Sequence, residues 1–161
     1  MPKTTGALAK RPPSARAGAL LVDTNLLLYA VDTRARRHER ARLWLDECLN
    51  GPSRVGLPWQ SLGGFLRIVT NPRVVSKPLA PTVAWQQIAE WLAAPAAWVP
   101  MPGPAHAELL GGLIERYEVG GNLVPDAMLA ALALEHGLAI CSADTDFARF
   151  TEVRWTNPLA A

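Results

Sequence analysis

The chain has 161 residues, 50% of them hydrophobic, which is ample for one packed core and short of what two independent cores need. Its formal charge of +2 is unevenly spread, because Lys3, Lys10, Arg11 and Arg16 precede residue 19 without an acid among them, leaving 12 bases against 14 acids in the remainder. This argues against a uniformly basic nucleic-acid-binding domain. Two cysteines, Cys48 and Cys141, are too few for a disulfide framework or a Cys-based zinc site, and no apolar run approaches the roughly 18 to 20 residues of a membrane span.

In chain order, the basic stretch 1–18, with its prolines and glycines, reads as a disordered tail, and 19–161 reads as one domain. Residues 19–22 form a short buried strand ending at Asp23, and the apolar run resumes over 26–30 in a helical or turn-like register. A helix over 38–49 stops at Asn50-Gly51-Pro52. A strand over 54–57 precedes a helix over 59–70 that is closed by Asn71-Pro72. Helices over 82–94 and 104–117 bracket a strand at 98–100. After the Gly120-Gly121-Asn122 turn, a helix over 123–136 has Pro125 near its start and Gly137 as its cap. A strand over 138–142, a helical turn over 146–150 and an edge strand over 153–155 complete the pattern. Trp59, Trp85, Trp91 and Trp98 lie on apolar faces and read as core or interface, and both cysteines read as buried thiols.

Strands alternating with helices indicate an α/β sandwich with a mainly parallel sheet, whose cleft lies beyond the carboxyl ends of the strands at a topological switch point. Four carboxylates fall at such places. Asp23 interrupts an apolar run, and a desolvated carboxylate there needs a partner or a cation. Asp126 stands in the first turn of its helix, where an acid also simply complements the helix dipole. Asp144 and Asp146 follow the late strand, where they fit an N-cap and turn equally well. No lysine follows Lys77 to neutralise them. Two such charges about 4 Å apart repel by roughly 4 kcal/mol at an effective dielectric near 20, so a cluster calls for a hard cation. His38, His106 and His136 form no close pair, so oxygen ligands are expected, which suits Mg²⁺ or Mn²⁺ and phosphodiester hydrolysis.

Val22-Asp23-Thr24-Asn25, the segment 122–127 and Ser142-Ala143-Asp144-Thr145-Asp146-Phe147 resemble, in order and spacing, the PIN-domain ribonucleases, specifically the VapC toxins of bacterial toxin–antitoxin pairs. The likeness runs from about residue 19 to 158 and includes Phe65 to Arg73 and the closing Arg154 to Leu159. It implies a PIN-like three-layer α/β/α sandwich and a cytoplasmic Mg²⁺-dependent endoribonuclease, with Mn²⁺ as a possible substitute ion. It also implies a cognate VapB-type antitoxin, a homodimer and no membrane association. Carried over by position, Asp23 and Asp126 are the principal metal ligands and catalytic acids. Asp144 and Asp146 are the remaining ones, with Thr24, Asn25 and Thr145 in support.

The chain departs from the pattern at Gly64, where many relatives place a glutamate before Phe-Leu-Arg, and Glu39 is the one candidate to replace it. Met128 stands where relatives often carry a polar residue or histidine, and reads as core. For RNA contact the candidates are Arg36, Arg37, Arg40 and Arg67, with Arg34, Arg42 and Arg73 beside them; a solvated helix face is the plainer reading of the run after residue 33. Two other functions fit parts of the pattern. A PIN-fold partner could bind antitoxin or RNA without turnover. A haloacid-dehalogenase-like phosphatase would need an acid where Asn25 stands, and a late lysine that the chain lacks.

Overall fold

The computed structural model describes residues 18–160, so the expected tail falls, apart from Gly18, outside the described residues. Leu20–Val22 forms β1, and Thr24–Val31 follows at once as α1. The helix begins two residues before the apolar run resumes, because Asp23 is extended at φ −80, ψ 154 and its carboxylate accepts from the Thr24 amide. Helix α2 (His38–Leu49), strand β2 (Val55–Gly56) and helix α3 (Trp59–Val69) come next. Pro81–Ala93 is α4, opened by Pro81, whose missing N–H costs nothing in a first turn. Strand β3 (Ala97–Trp98) begins one residue earlier than the apolar pattern suggests, and α5 (His106–Tyr117) two residues later.

A 3-10 turn over Gly121–Leu123 leads into α6 (Val124–His136). The helix stops at Gly137, whose φ of 67 is left-handed and whose amide donates to the carbonyls of Ala133 and Leu134. Strand β4 (Ala139–Cys141), a 3-10 turn over Thr145–Arg149 and strand β5 (Trp155–Thr156) complete the domain.

The five strands lie in the order β3-β2-β1-β4-β5, and every pairing is parallel rather than merely most of them. Alternation along β1 sends consecutive residues to opposite faces. Val22 joins a core with Leu57, just after β2, and with Leu26, Leu45, Phe65 and Ile88 from α1 to α4, whereas Leu21 packs with Ile140, Leu113, Ala130 and Phe147 beneath α5 and α6. Helices therefore cover both faces, as the expected three-layer sandwich requires. Each fully buried Leu, Ile or Phe contributes about 1.5–3 kcal/mol. The sheet order reverses between β1 and β4, so the switch point lies where those two strands end.

Several side chains depart from their expected settings. Trp91 is core and packs edge-on against Phe65; Trp59 and Trp85, expected as core or interface, are not core, being 47% and 49% exposed and parallel to each other on α3 and α4. The α3 and α4 stripes are wider than the face that the sheet can cover. Met128 is exposed as well, on the outer side of α6. Cys141 is buried and its thiol pushed up to about 12 by desolvation, while Cys48 is only half-buried.

Candidate active site

The ends of β1 and β4 are tied together before any ligand is considered. The Asp23 amide donates to the Cys141 carbonyl at 3.0 Å, continuing the β1–β4 pairing by one residue. Ser142, the residue after β4, is fully buried, and its hydroxyl donates to Asp23 Oδ2 at 2.7 Å. Ser142 Oγ in turn accepts from Asn25 Nδ2 at 2.9 Å and from the Asp144 amide at 3.0 Å. Asn25 completes the frame, with Nδ2 also 3.0 Å from Asp23 Oδ2 and Oδ1 accepting from the Ala143 amide at 3.1 Å. One hydroxyl has one proton to give, and here its acceptor is the Asp23 carboxylate. Ser142 was absent from the sequence-based site because a serine closing a strand carries no signal of its own.

Three carboxylates converge beside this frame. Asp126 in the first turn of α6, Asp144, and Asp146 in the following 3-10 turn each offer an oxygen, and these lie within 4.8 Å of one another. Asp144 also caps its turn, accepting from the Asp146 amide at 2.8 Å. Asp23 stands outside that tight group, with its oxygens engaged by Thr24, Asn25 and Ser142. Charge still links the four. Asp126 is pushed up to about 6, first by burial and then by the charges of Asp144, Asp23 and Asp146. Burial likewise raises Asp23, against the pull of the Ser142 and Thr24 hydrogen bonds, and Asp144 adds to the rise.

A concave surface of about 370 Å³ opens over Asp23 and Asp126, lined also by Gln60, Gly64, Arg67 and Ile68 among others. Gln60 joins its walls by donating to the Pro125 carbonyl at 2.8 Å. Gly64 explains itself sterically. A Cβ there would lie 2.7 Å from Thr24 Oγ1, and that hydroxyl donates to the Ser61 carbonyl at 3.2 Å, so Thr24 occupies the space of the expected acid. Glu39 does not replace that acid, since it is exposed on α2 and pairs with Arg42.

Of the arginine candidates, Arg67 alone lines this cleft. Arg34 pairs with Asp32, Arg40 donates to the Ala160 carbonyl, and Arg42 pairs with Glu39 and Asp46. Arg36, Arg37 and Arg73 are exposed, and Thr145 is exposed between its two acids. A cation that the sequence reading overlooked does reach the cluster. Arg149 Nη2 lies 3.9 Å from Asp146 Oδ1 and holds Asp126 slightly down. Counting lysines after residue 77 missed it.

An all-oxygen donor set with several acids close together and one weakly placed cation fits a hard divalent ion that keeps part of its water. Such a centre supports attack of water on a phosphodiester.

Residues 20–153 match the PIN domain family. Ribonuclease VapC37 of Mycobacterium tuberculosis is 45% identical over 140 residues, spanning 87% of this chain and 97% of that protein. Ribonuclease VapC43 of the same species is 43% identical, spanning 87% of this chain and 95% of its own length. Among solved structures, VapBC2 from Rickettsia felis bound to a promoter DNA fragment superposes with a TM-score of 0.64 at 15% identity, over 86% of this chain and 98% of that one. FitAB bound to a DNA fragment gives 0.62 at 19% identity, over 88% and 96%. At those identities the structures speak for the fold alone. The chain belongs to the PIN-domain family and, within it, to the VapC ribonucleases.

Proposed function

We propose that the chain is the Mg²⁺-dependent endoribonuclease toxin of a toxin–antitoxin pair, with Asp23, Asp126, Asp144 and Asp146 as the acids of its centre. The observation that carries this reading is the convergence of Asp126, Asp144 and Asp146 oxygens within 4.8 Å beside the anchored Asp23. Asp23 and Asp126 would be the principal ligands of the ion and Asp144 and Asp146 the remaining ones, with Asp126, Asp144 and Asp146 close together and Asp23 anchored beside them by Ser142 and Asn25. Bound there, Mg²⁺ supplies Lewis acidity toward the phosphate and lowers the pKa of water; Mn²⁺ is the substitute that the same ligands accept.

The residues of this chain do the rest. Ser142 and Asn25 donate to Asp23 Oδ2 and the Thr24 amide donates to Oδ1, so the carboxylate is held in one orientation with both oxygens as acceptors. Without an ion Asp126 holds its proton up to about pH 6, and it would give that proton up to bind one. Arg67 on α3 offers a planar set of donors to an RNA phosphate on the wall facing Asp126. Thr24 and Thr145 sit beside these acids and support their placement. Arg36, Arg37 and Arg40 extend the contact with RNA beyond the cleft.

The partners follow from the named relatives and neighbours, which include VapBC and FitAB complexes. A VapB-type antitoxin silences this chain in the cytoplasm, within a complex built on its homodimer. No described helix is long and apolar enough to cross a membrane. The phosphatase reading has no support, because Asn25 spends its amide on Asp23, Ser142 and Ala143 where that chemistry needs an acid.

The test is cleavage of an RNA panel in Mg²⁺ against EDTA, with Asp23→Asn and Asp126→Asn. Wild type cuts only with the ion, and each variant loses at least about 100-fold, more than loss of a supporting partner costs. Full cleavage in EDTA or in either variant contradicts the reading. Ion binding without any cleavage of the panel would instead favour a PIN-fold partner that lacks turnover.

A further inference from the structure

Arg149 is half-exposed on the 3-10 turn that carries Asp146, with its guanidinium 3.9 Å from the Asp146 carboxylate. Among the described residues no other Lys or Arg pairs with Asp126, Asp144 or Asp146. Its partner belongs to the group of acids whose oxygens lie within 4.8 Å, the place where a divalent ion fits. A guanidinium and a divalent ion compete for the same negative charge, and an exposed pair at this distance is held weakly enough to open. Once displaced, a guanidinium is a rigid fork of donors matched to a phosphate. The turn places it beside the acids, while Arg67 lines the cleft from α3.

We propose that Arg149 is an exchangeable counter-ion of the acidic cluster, paired with Asp146 in the metal-free protein and passed to an RNA phosphate when a divalent ion takes its place. Arg149 is then a positioning residue that couples metal occupancy to RNA binding. In this protein the ion does not simply add charge; it also frees a cation for the substrate. The proposal rests on the reading that the cluster holds a divalent ion.

The exchange makes two effects of Arg149→Gln run in opposite directions. In the full chain without RNA, Mn²⁺ titrated by electron paramagnetic resonance binds about twofold to fivefold more tightly to Arg149→Gln, because a competitor has gone. With a mixed-sequence single-stranded RNA of all 2′-O-methyl nucleotides, which resists cleavage, RNA affinity falls in Mn²⁺ and the slope of log K against log salt shrinks by about 0.7, one phosphate contact. In EDTA both losses are smaller than in Mn²⁺, since Asp146 then competes with RNA for the guanidinium. Arg149→Lys keeps the charge and restores most of the slope.

Unchanged or weaker Mn²⁺ binding by Arg149→Gln overturns the proposal, as does a salt slope reduced equally with and without Mn²⁺. Wild type that binds no Mn²⁺ at all overturns the metal reading itself, so the two failures are distinct. Circular dichroism and melting of the variant are expected to match wild type, because the side chain is exposed and caps nothing.

Discussion

The two ends of α6 hold one carboxylate each, and the helix treats them in opposite ways. Asp126 sits in the first turn, where the dipole favours negative charge, yet burial and its acidic neighbours push it up to about 6. Glu135 sits in the last turn, where the dipole disfavours charge, yet it is held below the ordinary carboxylate range. The donors make the difference. The Gly103 and Ala105 amides bond to Glu135, the latter at 3.2 Å, and His106 Nδ1 lies 3.4 Å away. Asp126 has no comparable set, and around it are Asp23, Asp144 and Asp146. A carboxylate reached by backbone amides fastens α6 to the start of α5, although its buried Oε2 has no hydrogen-bond partner. One left short of them has coordination to offer.

Variants can break this contrast from either side. Among the supporting contacts, the largest effect is expected from Ser142→Ala, which removes the donor to Asp23 and the acceptor for Asn25 and the Asp144 amide. Cleavage should fall by about 10 to 100-fold, the usual cost of losing a supporting partner, with folding retained by circular dichroism. Unchanged cleavage would show that the tie between β1 and β4 does not set the acids. Next in size, Glu135→Gln trades charge-assisted bonds at the start of α5 for neutral ones. It should lower Tm by a few degrees while leaving cleavage within about twofold, as two distant sites allow.

The smallest effect is a drift of Tm with pH in EDTA. Asp126 and Asp23 both bind a proton more readily folded than unfolded, so the metal-free protein gains stability as pH falls from about 7 to about 5. Glu135, Glu152, Asp32 and Glu39 are held low instead, and the stability they add is lost only as pH falls below about 4.5, outside that window. Tm should rise by about 1–3 °C on that descent, and by less in Asp126→Asn. A fall of Tm would mean that these acids are already compensated within the protein.

Much of the fold is legible in the sequence because its signals are local. Gly137 after an apolar helix, Pro81 at a helix start and the short run ending at Asp23 each fix an element by backbone chemistry. The strands are two or three residues long, so their register comes from pairing with the neighbouring strand, and their predicted ends drift by a residue or two. The acids are legible through their positions at strand ends and a helix start. Their supports are not. Ser142, Gln60 and Arg149 act through contacts 65 to 119 residues away or through a turn whose path no periodicity reveals. The space that Thr24 takes at Gly64 is likewise a matter of how α1 meets α3. Met128 misled because an apolar residue at helical spacing is not obliged to face the core, and for the same reason helical spacing did not separate core from interface for Trp59 and Trp85.

The most direct measurement sets the two ends of α6 side by side: RNA cleavage in Mg²⁺ by Asp126→Asn and Glu135→Gln, each compared with wild type at equal folded concentration. If donor-poor carboxylates are there for the ion, Asp126→Asn loses at least about 100-fold and Glu135→Gln keeps its rate. Cleavage that survives in Asp126→Asn, or that falls as far in Glu135→Gln, would contradict it.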